Sequence, residues 1–527
     1  MGFANYDTLY ALVWGQQLTR GETPQYGIPI APTPHPLVEI LGVLLAPLGP
    51  HATAQVTVAL GFLALSACGW AVYRLGSLWF NRPTGVVAAA ILLTRLPILS
   101  DGVRAYVDLP YLLLVLCALI LETRHRRAGA PVLALLALAG LLRPEAWVFS
   151  GLYWMYLALP YARTRVGAGS HPYRGQGAAE RAQTVGEQPA RGYVASGGDG
   201  GSADSGRRSP GESASRPATS GEPALAASGS PRRGDPLRTP SQLAWLALLA
   251  AAAPLIWVAS DLLVTGDPLW SLTNTRHTAR ILVRETGIAK VPEYIPRRIG
   301  EVLGPAVLAG AALGGVLALL WLRRRALPGA LAGVTAVAVF AAFATAGLPI
   351  DTRYAFLAAA ILCVFCGVGV CGWMLLPRGH ERRRWWMLAS AVVLAALVVS
   401  IPAQYHIDHH ELQALARQQR IQNDLLALVD EGAITTRCEP IGVPNHAPIP
   451  LLALWLKSAP ANIVSAQVHP ISRGTYVDPA SKEVQQDYIL DPNDPNRPVT
   501  VPRGFTATRT SRSWLIFQKC PLQGASR

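Results

Sequence analysis

The feature that most constrains this chain is a series of long apolar segments separated by short polar connections. A helix needs roughly 20 apolar residues to cross about 30 Å of hydrocarbon. Segments near that length occupy residues 53–73, 242–261, 303–322, 328–348, 354–376 and 385–401, and shorter ones occupy 84–99, 108–121, 130–142 and 146–159. No soluble fold needs so many. The pattern therefore predicts a mainly α protein, a polytopic bundle of about ten transmembrane helices.

Composition and the placement of charge agree with this interpretation. Hydrophobic residues make up 51% of the 527 residues and charged residues only 15%, and the mean hydropathy is +0.28. The net charge is +14, and basic clusters fall in every second loop, at 74–82, 124–127, 163–165, 323–325 and 378–384. Positive charge in alternate loops marks the cytoplasmic side of a membrane protein. We therefore place both chain ends outside the cytoplasm of a multi-pass cell-membrane protein in contact with the lipid bilayer.

Basic proteins are often nucleic-acid-binding proteins, and the same arginine placement argues against that here. Proteins that bind single strands interleave their basic surface with aromatic side chains on which bases stack. The basic residues of this chain lie instead in short loops between apolar segments. We predict no nucleic-acid partner.

The topology divides the chain into five regions. Residues 1–52 form a first outer loop with an interfacial helix at 37–48, and residues 53–162 hold transmembrane helices 1–5. Residues 163–241 consist of Gly, Ser, Pro, Arg and Ala with almost no large apolar residue, so we predict a disordered cytoplasmic insert. Residues 242–403 hold transmembrane helices 6–10 with an outer loop at 264–300, and residues 404–527 form a small extracytoplasmic α/β domain.

The seven cysteines sort by this topology. Five lie in predicted spans, where a small apolar residue is the simplest interpretation even for the Cys363-x-x-Cys366 pair. Cys438 and Cys520 are the two cysteines of the exported C-terminal region, which faces an oxidising compartment. We expect a disulfide between them.

Charged residues near spans collect at the outer ends of those spans or in outer loops. They are Asp7, His35, Glu39, Arg95, Asp101, Arg104, Asp108, Arg143, Glu145, Asp261, Asp267, Asp351 and Arg353. A transporter is expected to place ionisable groups near the membrane midplane and to show repeat symmetry between its halves. This sequence shows neither pattern, so a cavity open to the outer leaflet fits better.

The long outer loop breaks the charge rule of the other loops. It carries Arg276, Arg280, Arg284, Lys290, Arg297 and Arg298 on the side that should be poor in positive charge. One interpretation is an anionic ligand at the outer membrane face, such as a lipid phosphate or pyrophosphate. The other is a solvated or phospholipid-binding amphipathic helix, and the sequence favours neither.

Several short motifs resemble the GT-C membrane glycosyltransferases, in particular the protein mannosyltransferase and aminoarabinose transferase branches. The first outer loop carries Tyr6-Asp7-Thr8, then Gly15, Gly21 and Pro24, then Pro-Thr-Pro-His-Pro-Leu at 32–37. Similar motifs are Asp-Leu-Pro at 108–110, Leu-Arg-Pro-Glu at 142–145, Thr-Gly-Asp-Pro-Leu at 265–269 and Arg-Tyr at 353–354. Each motif is weak alone, but their order and shared outer location carry the resemblance over about residues 1–403.

The resemblance implies transfer of a sugar from a polyprenyl-phosphate donor to a glycan, lipid or protein acceptor outside the cytoplasm. Asp7 would then be the catalytic first-loop carboxylate, acting as general base or helping to hold a metal. The arginines that would hold the donor phosphate are Arg104, Arg276, Arg280, Arg297, Arg298 and Arg353. The substrate pocket would contain His35, Asp108, Arg143, Glu145, Asp267 and Tyr354.

Two departures from the family pattern leave questions open. Family members carry a transmembrane helix before the first-loop acid, whereas Asp7 lies six residues from Met1; we expect either an upstream start or a degraded copy. Thr8 stands where a second acid is often found, so a divalent metal stays open, and no other cofactor is predicted. His406, His409 and His410 offer zinc-ligand spacing, but a solvated face beside the membrane is the favoured interpretation.

Two other functions compete with glycosyl transfer. One is a membrane transporter or flippase for an anionic lipid-linked substrate, which would need polar groups at mid-depth. The other is a non-catalytic scaffold that kept the GT-C-like fold, which would tolerate the loss of Asp7.

Overall fold

The computed structural model describes residues 2–168, 239–489 and 501–520, with the backbone alone for 160–168. The chain divides into two compact units, Met1–Leu157 with Ser241–Arg527, and Ala158–Pro240. Apart from its ends, the insert predicted at 163–241 lies outside the described residues. Everything below concerns the first unit.

Helices account for most of the described chain. Their bounds are α1 Tyr6–Thr19, α2 Pro36–Leu45, α3 Gly49–Trp79, α4 Arg82–Leu93, α5 Leu96–Val103, α6 Asp108–Arg124, α7 Ala130–Gly140, α8 Glu145–Ala168, α9 Pro240–Thr265, α10 Trp270–Ile281, α11 Val291–Trp321, α12 Arg323–Thr345, α13 Phe356–Cys371, α14 Glu381–Asp430, α15 Ile449–Leu456 and α16 Lys482–Val484. A short 3-10 turn, Thr352–Ala355, leads into α13. The predicted outer loop at 264–300 thus contains a helix of its own, α10.

Each of the ten predicted apolar segments coincides with a helix, or with the α4–α5 pair. By length and hydropathy, six described helices could cross a membrane, or up to seven if α4 and α5, bent by 65°, form one span. Helix α6 has 17 residues and α7 has 11, which is short for a spanning helix. The membrane-protein class is supported, whereas the predicted number of about ten spans is not confirmed.

Helix α13 occupies the centre of the bundle. Its most apolar window is 89% buried, whereas the other candidate spans are at most 44% buried. Glycines allow the neighbouring helices to approach it closely: a Cβ at Gly314 of α11 would lie 2.1 Å from the Phe365 carbonyl, and one at Gly367 would lie 2.6 Å from the Thr84 carbonyl. These backbone contacts from α11 and α4 hold the C-terminal half of α13 in place.

The first outer segment is held by an equally close helix crossing. Gly15 of α1 lies against Gly42 and the Glu39 carbonyl of α2. Helix α2 corresponds to the predicted interfacial stretch, and Ile40 and Leu44 remain more than half exposed on it. A 3-10 turn, Ala46–Leu48, connects α2 to α3, so these elements form one apolar run of 44 residues.

Helix α14 runs through the predicted boundary between membrane and C-terminal domain. The sequence placed that boundary near residue 403. The structure has one helix of 50 residues through both regions, which is about 75 Å long at roughly 1.5 Å per residue. Pro402 lies inside it without ending it. The domain boundary at residue 403 stays a prediction, and a helix passes through it because a change of polarity does not by itself end a helix.

The C-terminal region contains a five-stranded mixed sheet in the order β2-β1-β3-β5-β4. The strands are β1 Ile441–Val443, β2 Ile463–Ser465, β3 Gly474–Pro479, β4 Thr506–Thr510 and β5 Trp514–Lys519. Strand β1 is parallel to β2 and β3, while β5 is antiparallel to β3 and β4. A disulfide joins Cys438, before β1, to Cys520, after β5, with Cα atoms 5.6 Å apart.

This domain packs directly on the bundle. Most of its buried apolar residues belong to the same hydrophobic cluster as those of α1, α3 and α13, whereas Ala466, Ile471 and Tyr476 form a separate cluster. Polar contacts join it to the first outer segment at both ends: Gln419 exchanges hydrogen bonds with the Gly2 backbone, and Gln25 accepts one from the Ala461 amide at 2.9 Å. The first outer segment is therefore enclosed between bundle and domain.

The helix crossing at Gly15 gives a stability prediction. A methyl group there would lie 2.5 Å from the Glu39 carbonyl and 2.7 Å from Gly42 Cα, and overpacking of this kind costs about 1–3 kcal/mol. We expect Gly15→Ala to lower the melting temperature of the purified protein by several degrees. Gly27→Ala is the matched control, because a Cβ at Gly27 meets nothing within 4 Å. Equal melting temperatures for the two variants would contradict the close crossing.

Candidate functional site

The residues predicted to carry chemistry gather around the start of α1. Asn5 caps this helix by accepting the Thr8 amide at 3.1 Å, and its side chain also donates to the Arg104 carbonyl. The Thr8 hydroxyl donates to the Ala105 carbonyl at 2.8 Å. These bonds fix the first turn of α1, which holds Asp7, against the connection between α5 and α6.

Asp7 forms an ion pair with Arg353. Its Oδ2 accepts a hydrogen bond from Arg353 Nη1 at 2.9 Å, and Arg353 Nη2 lies 3.8 Å from Asp351 Oδ2. The Asp7 side chain is 18% exposed and that of Arg353 is 30% exposed. Burial would raise the pKa of the Asp7 carboxyl, but the charge and hydrogen bond of Arg353, with the charge of Arg143, lower it below its ordinary value. Asp7 is therefore an anion at neutral pH.

A cluster of three buried charged residues, Arg143, Asp108 and Glu145, lies near this pair. Arg143, between α7 and α8, contacts Asp108 of α6 and lies 2.9 Å from Glu145 Oε1. Its guanidinium also lies 4.3 Å from the centre of the Tyr354 ring, within range of a cation–π interaction. All three charged residues are at most 5% exposed. The cluster thus supports the turn that carries Arg353.

Asp101 and Arg104 form a third charged group beside Asp7. Arg104 Nη2 lies 3.7 Å from Asp101 Oδ1 and donates to Ser100 Oγ at 2.9 Å. The Arg104 guanidinium lies 4.9 Å from the centre of the Tyr106 ring. Asp101 is close enough to Asp7 and Arg353 for their charges to interact. Asp7 thus lies near a second ion pair, that of Asp101 with Arg104, besides its own pair with Arg353.

His35 completes the predicted residues near Asp7. It is 8% exposed and forms the N-cap position of α2. Burial lowers its pKa to about 4, an effect that the nearby Arg143 and Arg353 reinforce and Asp7 opposes. The imidazole is therefore neutral at neutral pH.

The arginines of the outer loop are used differently from Arg353. Arg276 donates to the Ala346 carbonyl at 2.7 Å, and Arg298 donates to the Ile350 carbonyl at 2.9 Å. Both bonds brace the connection that leads from α12 to Arg353. Arg280 is exposed, and Arg297 pairs with Glu301 at 3.2 Å. Their predicted role in phosphate binding stays a prediction.

Asp267, predicted in the substrate pocket, shapes a turn. Its Oδ1 accepts the Leu269 amide at 2.9 Å just before α10 begins. It lies on a part of the loop that carries exposed Pro268 and Leu269. The structure therefore gives this carboxylate a local structural contact, and its predicted role as a substrate ligand stays a prediction.

Some neighbours of Asp7 were missed in the sequence. Tyr106, next to Arg104, carries no motif that marks it. His446 of the C-terminal domain contacts the Tyr6 ring edge-on with centroids 5.4 Å apart, although it follows Tyr6 by hundreds of residues. Only the position of Asp101 and Asp351 at outer ends of spans signalled a role for those acids.

Metal ligation was left open by the sequence. Among the residues that the structure describes, no group of three or more His, Cys, Asp or Glu side chains is arranged to hold a metal ion. The histidines near the end of the last apolar segment flank Tyr405, with His406 and His409 ring centroids 6.1 and 5.8 Å away. No metal is assigned to any residue.

Comparison with known proteins identifies the fold. The chain is similar to the crystal structure of ArnT from Cupriavidus metallidurans bound to undecaprenyl phosphate, with a TM-score of 0.50 over 98% of this chain and 94% of that chain. Sequence identity is 13%, so the likeness is one of fold. No family model and no curated protein matches the chain. The fold is GT-C-like, and no particular member of that group is indicated.

The buried cluster around Arg143 gives a prediction of its own. Arg143→Leu would leave Asp108 and Glu145 buried without a counter-charge, which typically costs about 3–5 kcal/mol. We expect a large fall in melting temperature and a smaller folded fraction on gel filtration. Adding Asp108→Asn and Glu145→Gln should restore much of the loss, because the uncompensated charges are then removed. A single variant as stable as the wild type would contradict this role.

Proposed function

We propose that the chain is an integral membrane glycosyltransferase that transfers a sugar from a polyprenyl-phosphate donor to an extracytoplasmic glycan, lipid or protein acceptor. One observation carries the proposal: the Asp7 carboxylate is paired with Arg353, near the Asp101–Arg104 pair, in a chain with a GT-C-like fold. A base beside cations is what glycosyl transfer from a phosphate donor requires. ArnT, which has a similar fold, was crystallised with undecaprenyl phosphate. This supports a polyprenyl-linked donor.

In the proposed reaction, the acceptor hydroxyl attacks the anomeric carbon of the donor sugar. A new carbon–oxygen bond forms as the bond from that carbon to the phosphate oxygen breaks, and the electron pair leaves with the polyprenyl phosphate. Asp7 takes the proton of the acceptor hydroxyl. Arg353 stabilises the negative charge that grows on the phosphate, and Arg104, which pairs with Asp101, is assigned to the same phosphate.

The pairing of Asp7 with Arg353 would have to change during this cycle. A carboxylate that is bonded to a guanidinium is a weak base because its charge is already stabilised. A donor phosphate competes for the same guanidinium with a charge-assisted hydrogen bond. As Arg353 turns to the phosphate, the proton affinity of Asp7 rises. Donor binding would thus prepare the base for the acceptor.

The remaining predicted arginines take other parts in this proposal. Arg276 and Arg298 brace the connection before Arg353 through backbone carbonyls. Arg280 and Arg297 are exposed on the outer loop, where positive charge would attract anionic lipid toward the site. We therefore assign the reacting phosphate to Arg353 and Arg104.

Replacement of the base gives the direct test of this proposal. Asp7→Asn keeps the size of the side chain but cannot accept the proton, and general-base catalysis contributes about 10²–10⁴-fold. We expect at least a hundredfold loss of sugar transfer from a polyprenyl-phosphate sugar by the purified protein. Asp430→Asn, at an exposed acid on the end of α14, is the control and should retain activity. Wild-type turnover by the Asp7 variant would refute the role of Asp7, and donor binding without transfer by the wild type would favour a flippase or scaffold.

The pH profile tests the pairing separately. Arg353 lowers the pKa of the Asp7 carboxyl in the free protein. In Arg353→Gln that stabilisation of the anion is lost, so the pKa rises and the base is protonated at a higher pH. The acidic limb of kcat/KM against pH should therefore shift to higher pH, in addition to any fall in rate. An unchanged acidic limb would show that Asp7 is not the titrating base.

A further inference from the structure

A second polar layer lies where the first outer segment meets α9. Tyr26 Oη donates to Glu39 Oε2 at 2.7 Å and lies 3.4 Å from Ser260 Oγ. Tyr26 is 2% exposed and Glu39 is 4% exposed. No motif of the sequence marked Tyr26, and no substrate role was assigned to Glu39.

One oxygen of Glu39 is left without a hydrogen bond. Among the described residues, Glu39 Oε1 and His35 Nδ1 are both buried polar atoms that meet no hydrogen-bond partner. Residues four apart lie on the same face of a helix, and the Glu39 amide bonds to the His35 carbonyl at 3.0 Å in the first turn of α2. The two residues that carry the unpartnered atoms therefore lie one helical turn apart at the start of α2.

Asp261, the neighbouring acid of this layer, differs from Glu39 because both of its carboxylate oxygens accept hydrogen bonds. Both oxygens of Asp261 accept from Ser271, from its amide at 2.8 Å and from its hydroxyl at 2.7 Å. Ser271 Oγ also accepts from Trp257 Nε1 at 2.8 Å. A buried carboxylate oxygen that meets no donor is expensive, and Asp261 shows that the layer can satisfy a carboxylate completely.

The backbone around Glu39 leaves it little freedom to find another partner. The Glu39 carbonyl lies against Gly15 at the close α1–α2 crossing. Tyr26, its partner on the other oxygen, packs edge-on against Trp14 with ring centroids 4.8 Å apart. A polar group held in place with one free acceptor is suited to bind a ligand.

We propose that Glu39 Oε1 and His35 Nδ1 form a subsite for a hydroxyl group of the donor sugar. This inference rests on the proposed function, since it gives the sugar a position next to Asp7, whose charge reaches His35. A sugar hydroxyl can donate to the Glu39 carboxylate while its oxygen accepts from the imidazole, or its neighbouring hydroxyl can donate to it. The subsite would bind the sugar and leave the phosphate to Arg353.

Lipid binding separates the two parts of the donor. The probes are undecaprenyl phosphate, undecaprenyl-phosphate hexoses and pentoses, and monodeoxy versions of the sugar that binds best, each titrated into the full chain in nanodiscs. We expect the wild type to bind the best sugar-bearing lipid at least tenfold more tightly than undecaprenyl phosphate. Removing one particular hydroxyl should abolish most of that preference.

Glu39→Gln is the matching variant, because it keeps an acceptor for Tyr26 but replaces the second carboxyl oxygen with an amide NH2 group, which cannot accept a hydrogen bond from the hydroxyl. It should lose about tenfold in affinity for the sugar-bearing lipid, change little for undecaprenyl phosphate, and no longer distinguish the monodeoxy lipid. Tyr26→Phe removes the bond to the other oxygen and should keep the sugar preference. Its melting temperature and that of Glu39→Gln report any loss of fold.

Three results would overturn the subsite. In the first, the wild type binds every monodeoxy lipid as tightly as the parent lipid. In the second, the wild type has equal affinity for lipids with and without sugar. In the third, Glu39→Gln lowers the affinity for both lipids alike. If the wild type binds neither kind of lipid, the proposed function fails and the subsite fails with it. If both bind with the expected preference but no sugar is transferred, the subsite stands and the transferase function fails. The wild-type deoxy series decides the question even if the variant does not fold.

Discussion

One end of this bundle depends on charges that are buried and paired. Removing one partner of a buried ion pair leaves an uncompensated charge and costs several kcal/mol. Arg143 meets this constraint by contacting Asp108 and Glu145, and Arg353 meets it through Asp7. Because these partners come from α1, α6, the α7–α8 connection and the turn before α13, the pairs hold four separate elements in one arrangement.

This arrangement has a functional consequence, because rigid and exchangeable pairs lie side by side. Arg143 is almost completely buried and touches Tyr354, so it supports the turn. Arg353 is part-exposed, and a ligand can reach it. The glycine contacts hold the C-terminal half of α13, and Arg276 and Arg298 bond to carbonyls of the connection that precedes the turn. A phosphate that reached Arg353 would therefore change one ion pair without disturbing the frame.

The helices could be predicted from the sequence because hydropathy is a local property. The pairs could not, since Asp7 and Arg353 are 346 positions apart and each alone resembles a solvated loop charge. The excess of arginine in the outer loop was visible, but charge does not reveal that Arg276 bonds to a backbone carbonyl. His446 was out of reach for the same reason, because its contact with Tyr6 depends on how the C-terminal domain packs. It was the GT-C resemblance, and not a local pattern, that suggested Asp7 and Arg353 as residues of one site.

In the proposed mechanism, the Arg353 guanidinium releases Asp7 and binds the donor phosphate. A structure of the purified chain in nanodiscs with undecaprenyl phosphate tests it directly. We expect the phosphate to lie within hydrogen-bond distance of the Arg353 guanidinium. Asp7 Oδ2 should then no longer be bonded to Arg353 Nη1. A phosphate bound instead by Arg280 or Arg297, with the 2.9 Å contact between Asp7 and Arg353 intact, would contradict it.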